Sequence, residues 1–345
     1  MRARFFALVC ALGACGFRVQ PGSSTGDAGS DAPDAAGDAG LDAAHDAPLD
    51  APIDAAPLLC TAACAAAGGT CDQSGTCVIA CNTQTCTPIC PAGHTCDIRC
   101  IGGTACAAGV NCTQAAACKV LCMGTNACAG DVQCGGSTCD ITCEGGVACA
   151  GAVECTALDR CDITCLGTNA CQSDKVRCGG KQCTTLCMNG GACADGVVCT
   201  ATSCDVTCNG QNTCQSGGVA CGGASTTDCK VTCLVGNACS AVVTCQAGTC
   251  DVRCEGANAC GSGGVGCSGG ACTVDCDGSV ACGSGGITCN ATTSCDLECD
   301  GANACGTINT CGATSCMSHC CGGTTSCVTN VCTMDLTCAE NAVCD

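Results

Sequence analysis

Cys161-Asp162-Ile163-Thr164-Cys165-Leu166-Gly167-Thr168-Asn169-Ala170-Cys171 is the stretch that decides the fold. Its cysteines are separated by steps of four and then six residues. The same two steps start at Cys96, Cys118, Cys139, Cys161, Cys183, Cys204, Cys229, Cys250, Cys272 and Cys295, giving ten units. Each unit adds a fourth cysteine six or seven residues later, and the next unit begins five to eight residues after that. The period is therefore about 22 residues, and its variation is confined to particular gaps, as expected where those gaps are corners of a coil.

Even steps place the cysteines on one face of an extended chain. Most units read Cys-x-(Ile/Val)-x-Cys, with Ile98, Val120, Ile141, Ile163, Val206, Val231, Val252 and Val274 at the centre and polar or variable residues between. That alternation is a strand with cysteine and a β-branched residue facing inward. A corner such as Gly124-Thr125-Asn126-Ala127 or Gly167-Thr168-Asn169-Ala170 follows, where Gly and Asn tolerate left-handed backbone. A second extended stretch, as in Gly218-Val219-Ala220-Cys221, returns the chain. The expected fold is all-β: a disulfide-rich β-solenoid with one repeat per coil, coils about 4.8 Å apart and a repeat region roughly 50 Å long. The other reading is a string of small, separately stapled modules with little sheet.

Composition explains why covalent staples are needed. The chain of 345 residues holds 56 cysteines and no Trp or Tyr, and its three Phe all lie within the first 17 residues. A chain this poor in large apolar side chains buries too little surface, at about 25 cal/mol per Å², to offset an ordering cost of about 1–2 kcal/mol per residue. The net charge of −19, with 11 Lys and Arg, argues against nucleic acid as a partner. No apolar run reaches the length of a spanning helix.

Beyond position 15 the remaining cysteines are even in number, which in an exported protein favours a disulfide framework. The first and second cysteines of a unit lie about 13 Å apart along a strand, beyond disulfide reach. The second and third flank a corner and face one another, giving Cys100–Cys106, Cys122–Cys128, Cys143–Cys149 and Cys165–Cys171. The fourth then pairs with the next unit's first, as in Cys112–Cys118; the alternative joins fourth and first within a unit, Cys96–Cys112. Thiolate metal sites favour Cys-x-Cys or Cys-x-x-Cys, and neither spacing occurs. No metal or cofactor is expected, although thiol-based metal binding or redox buffering is the competing function.

The ends differ from the repeats. Residues 1–14 have the pattern of an export signal: Arg2 and Arg4, then the apolar run Phe5 to Leu12. Leu12-Gly13-Ala14-Cys15 resembles a bacterial lipobox, making Cys15 the expected lipidation site; the alternative is an ordinary signal with a chance cysteine. Residues 15–59 read as a tether, with Asp at 27, 31, 34, 38, 42, 46, 50 and 54 among Ala, Gly and Pro. As a helix this spacing would stack like charges, so a disordered, self-repelling spacer is expected. Residues 60–95 and 316–345 keep the cysteine density but lose the register, and read as caps on the 96–315 repeat region.

Catalytic signatures are missing. His45, His94 and His319 are the three histidines, and no repeat carries its own, so no Cys-His or Ser-His-Asp arrangement can be built within a unit. Asp97, Asp140, Asp162, Asp205, Asp251 and Asp296 share one outward repeat position. Lys119, Thr184, Lys230 and Thr273 interrupt the series, which favours a solvated face over a calcium ladder. No catalytic residue is assigned, and the chain is expected not to be an enzyme.

The lipobox-like Leu12–Cys15, the Asp/Ala tether and repeats such as Cys161–Cys171 together resemble the cysteine-rich lipoproteins of myxobacteria and related predatory or soil bacteria. The resemblance implies a surface or secreted setting rather than a mechanism. It leads to a non-enzymatic envelope scaffold, an outer-membrane or cell-surface lipoprotein held to the membrane by its lipid, with a protein or polysaccharide partner at the cell surface.

Overall fold

The computed structural model describes residues 55–83, 85–306, 309–320, 330–332 and 339–340. The signal-like segment 1–14, Cys15 and the Asp-rich stretch through residue 54 lie outside the described residues. The chain is a β-solenoid whose parallel strands stack coil on coil, preceded by one helix, α1 (Ala55–Ala66).

Two ladders run along the solenoid. The long ladder is made of the Cys-x-(Ile/Val)-x-Cys segments, including Thr95–Ile101, Ala117–Met123, Thr138–Cys143 and Arg160–Cys165. Its register sets cysteine on cysteine and β-branched residue on β-branched residue: Cys96↔Cys118, Ile98↔Val120 and Cys100↔Cys122, then Cys139↔Cys161, Ile141↔Ile163 and Cys143↔Cys165. The short ladder is made of Val-x-Cys segments such as Val110–Cys112, Val132–Cys134 and Val153–Cys155. In three coils the two segments fuse, through the corner between them, into single strands, Val243–Cys254, Val265–Asp275 and Ile287–Cys299, before separating again at Asn309–Cys311 and Ser315–Cys320.

The inward residues of both ladders form one continuous core of Cys, Ile, Val and Ala. Ile98, Val120, Ile141, Val132 and Val153 are essentially inaccessible to solvent. The residue before each third cysteine is buried under the corner; it is alanine in nine units, for example Ala127, Ala148 and Ala170, and Thr213 before Cys214. Thr185 takes the Ile/Val position of its unit, with its hydroxyl 3.6 Å from the Cys183 sulfur. The eight-residue link from Cys221 to Cys229 bulges at a corner and is pinned there by the Thr226 hydroxyl, which donates to the Ala201 carbonyl at 2.8 Å.

Corners are hydrogen-bonded between coils as well. The amide of Cys128 donates to the Ala105 carbonyl at 2.8 Å, Cys149 to Ala127 at 2.9 Å and Cys171 to Ala148 at 2.9 Å. Asn126 and Asn169 sit in the left-handed region at φ 61° and 58°, as read from the sequence. The third cysteine joins them, with φ between 50° and 61° in every unit from Cys106 to Cys305. Gly124, at the head of its corner, is left-handed at φ 129°, as read from the sequence, but Gly145 and Gly167 have another reason. At Gly145 and Gly167 the backbone is not left-handed; a Cβ there would overlap the carbonyl oxygen of the equivalent glycine one coil earlier, Gly124 or Gly145.

The ladder extends past the ten units at both ends. Cys77–Cys81 pairs in register with Cys96–Cys100, and Cys316–Cys320 with Cys295–Cys299, so the segments read as having lost the register keep it in their strands. Strand pairing requires only the four-residue step between two cysteines. The 4-then-6 signature also demands a standard corner, and Cys81–Cys86 spans five residues instead. At the N-terminal end α1 also begins inside the stretch read as tether, at Ala55 rather than after residue 59. Ala and Leu are strong helix formers, and Pro57 falls in the first turn, where it is tolerated. Gly68 closes the helix at φ 78°, with the Gly69 amide donating to Cys64 O at 2.8 Å. Thr70–Cys71 then pairs antiparallel with Cys77–Val78, so a helix and a hairpin cover the first strand edge.

Two corner substitutions should have opposite signs. Gly145→Ala should destabilise by about 1–3 kcal/mol through overpacking against the coil below. Val147, a β-branched residue at the asparagine position, is held at φ 62°. Val147→Asn should therefore stabilise by about 1 kcal/mol. Denaturant unfolding with disulfides intact measures both, and a Val147→Asn protein no more stable than the parent would contradict the corner account.

Candidate functional site: the sulfur columns and the outer face

Every cysteine from Cys60 to Cys316 is in a disulfide. The second and third cysteines of each unit are joined across the corner: Cys100–Cys106, Cys122–Cys128, Cys143–Cys149 and Cys165–Cys171, with Cα–Cα distances of 5.8, 6.0, 6.1 and 6.4 Å. The fourth is joined to the next unit's first, as in Cys112–Cys118 at 6.3 Å. Cys96 is bonded to Cys90, so the alternative Cys96–Cys112 pair is not the one formed. Both bridges therefore span corners, and neither crosses between the two ladders' mid-strands. Cys60–Cys71 and Cys64–Cys77 tie α1 to the first coil. The sequence signal for these was the four-residue spacing of Cys60 and Cys64 in an Ala/Leu run, which puts both on one helix face. As disulfides, these sulfurs offer no thiolate to a soft metal ion.

The outer face of the long ladder carries most of the side chains with chemistry. Its first column runs Asp97, Lys119, Asp140, Asp162, Thr184, Asp205, Lys230, Asp251, Thr273 and Asp296 in register. Arginines from adjoining positions neutralise part of it: Arg99 binds Asp97 at 2.6 Å, Arg253 binds Asp251 at 3.3 Å, and Arg160 pairs with Asp162. Lys181 reaches Asp159 of the preceding coil at 2.7 Å. Such exposed pairs contribute at most about 1 kcal/mol each. Near the N-terminal end this face opens into a groove of about 480 Å³ lined by Asp72, Asp97, Lys119, Asp140, Arg160 and Asp162, among others. Lys119 and Arg160 alternate there with carboxylates, so the groove has charges of both signs.

Farther along, Asp275 and Glu298 are register partners, and Asp277 follows Cys276 on the same coil. One oxygen of Asp275 is shielded from solvent and unpartnered. That burial, a hydrogen bond to Asp277 and the nearby charges of Asp277 and Glu298 push the Asp275 carboxyl up to about 7, with Arg253 pulling the other way. This arrangement was not apparent from sequence, because Glu298 lies a coil away along the chain from Asp275 and Asp277.

The histidines are separated. His94 Nδ1 pairs with the Ala92 carbonyl at 2.9 Å, beside the second strand of the long ladder. His319 Nε2 lies 4.0 Å from Asp296 Oδ1 in the Ser315–Cys320 strand. The stack of repeats separates these two residues, and His45 falls outside the described residues. No described helix is long and apolar enough to cross a membrane.

No family model, curated protein or solved structure matches the chain. Its class is therefore set by its own geometry: a disulfide-stapled β-solenoid with a narrow sulfur-rich core and a charged outer face.

Asp275 gives a pH signature with a definite sign. A carboxyl whose folded pKa is raised from near 4 to about 7 holds a proton in the folded state that the unfolded chain has lost. Its contribution to stability is full below pH 4 and is lost as pH rises toward 7. Asp275→Asn should flatten the fall in Tm between pH 4 and 8 and raise Tm at pH 8. Parallel pH–Tm curves for variant and parent would show that Asp275 does not hold that proton.

Proposed function

We propose that the chain is a non-enzymatic scaffold lipoprotein of a bacterial cell envelope, exported through the 1–14 signal and held at the outer membrane or cell surface by lipid on Cys15. The solenoid displays its charged outer face to a protein or polysaccharide partner there, and the Asp-rich stretch spaces it from the lipid surface. The observation that carries this reading is the bridging of every cysteine from Cys60 to Cys316. Disulfides at that density form and persist in oxidising compartments outside the cytosol. The lipobox-like Leu12-Gly13-Ala14-Cys15 supports the anchor, since two or more acyl chains are needed for stable membrane retention.

A fatty-acid label tests the anchor. Cys15→Ala should abolish incorporation of the label and move the protein from the membrane fraction into the medium or periplasm. Labelling and membrane retention that survive the substitution would remove the anchor from the account.

A further inference from the structure

The corner disulfides stack closely enough to react with one another. The sulfur of Cys100 and both sulfurs of Cys122–Cys128 lie within 4.8 Å of one another. The same holds for Cys122 with Cys143–Cys149, and for Cys143 with Cys165–Cys171. At the N-terminal end, Cys106 stands in the same relation to Cys81–Cys86. Since Cys100 and Cys106 are themselves bonded, the five disulfides from Cys81–Cys86 to Cys165–Cys171 form an unbroken column of sulfur.

Access to that column is asymmetric. Cys100, Cys106, Cys122, Cys128, Cys143, Cys149, Cys165 and Cys171 are all fully buried. Cys86 is only partly buried, and its bridge to Cys81 is the one that departs from the six-residue corner. Of these five disulfides, Cys81–Cys86 is the one that a reagent in solution can reach.

We propose that the column is a thiol–disulfide relay that carries a reduced cysteine pair between Cys81–Cys86 and the buried coils. An external dithiol reduces Cys81–Cys86, itself becoming a disulfide and supplying two electrons and two protons. The Cys81 thiolate then attacks the Cys106 sulfur, forming Cys81–Cys106 and expelling Cys100 as thiolate. Cys86 attacks Cys81 in that link, restoring Cys81–Cys86 and releasing Cys106. The reduced pair now resides at Cys100 and Cys106. In the next hop Cys100 attacks Cys122 and expels Cys128; Cys106 then attacks Cys100, which restores Cys100–Cys106 and frees Cys122.

Each exchange breaks one S–S bond and forms one, and the number of thiols stays at two, so no further oxidant or reductant is consumed. The intermediate Cys100–Cys122 link needs no strand movement. These residues are register partners on adjacent strands, about 4.8 Å apart, within the Cα span that a disulfide accepts. Run in reverse, the relay delivers a break deep in the column to the accessible end for reoxidation. Because burial disfavours the thiolate, hops should quicken as pH rises.

The test uses the folded full-length protein and an equimolar amount of a water-soluble phosphine at mildly alkaline pH. Samples are quenched with N-ethylmaleimide over time and the labelled cysteines mapped by peptide mass spectrometry. The relay predicts label first at Cys81 and Cys86, then a decline there as label rises at Cys100, Cys106, Cys122 and Cys128. The Cys81→Ser/Cys86→Ser double variant should lose the deep labelling. Label confined to Cys81 and Cys86 at all times, or deep labelling unchanged in the double variant, would overturn the proposal. Cys106→Ser provides an independent trap, because it strands Cys100 as a thiol facing Cys122–Cys128. Cys100–Cys122 linked peptides with alkylated Cys128 support the relay; alkylated Cys100 beside an intact Cys122–Cys128 bridge contradicts it.

Discussion

The structure depends on closing each corner with a disulfide whose two cysteines are already fixed by strand register. A six-residue loop closed in this way stabilises the fold by about 2 kcal/mol in the chain-entropy model. Ordering the backbone costs about 1–2 kcal/mol for each residue, so two bridges per coil cannot hold a coil of about 22 residues on their own. The remainder comes from stacking: the ladder hydrogen bonds, the corner bonds such as Cys171 N–H to Ala148 O, and the buried Ile, Val and Ala columns. A single coil is therefore not a folding unit. The bridges fix the corners, and the register makes their contributions cooperative along the stack.

The same constraint accounts for the composition. Cysteine fills most of the inward positions of the core, beside Ile, Val and Ala, where a larger solenoid would use bulky apolar side chains. At corners such as those headed by Gly145 and Gly167, glycine is required because the neighbouring coil's carbonyl occupies the space a side chain would need. Chemistry is consequently pushed outward, onto the face where Asp97, Lys119, Asp140 and Asp162 stack in register.

Much of this was legible in the sequence, because a repeat converts spacing into three-dimensional position. The strand Cys-x-Ile-x-Cys, the left-handed asparagine of the corner and the inward cysteines all follow from periods of two and 22. What was not legible has identifiable causes. Cysteine has no special preference for left-handed backbone, so the φ of 53° at Cys149 is imposed by the bridge and the inter-coil hydrogen bond rather than by propensity. The role of Gly145 depends on a carbonyl 21 residues earlier in the chain. The outer coil at Cys77–Cys81 was hidden because its five-residue corner erases the spacing signature while leaving strand pairing intact, and that at Cys316–Cys320 because no cysteine follows Cys320 at the six-residue step. The Asp275–Asp277–Glu298 group needs two coils to exist at all.

The most direct test of the central claim is disulfide mapping of the non-reduced protein. The chain would be alkylated under denaturing conditions before any reductant, digested, and its linked peptides sequenced by mass spectrometry. The account predicts no alkylation between Cys60 and Cys316, the helix links Cys60–Cys71 and Cys64–Cys77, and linkage within the ten units only across corners, second to third cysteine within a unit and fourth to the next unit's first. Linkage of first to fourth cysteines within units, or a repeat region rich in free thiols, would contradict it.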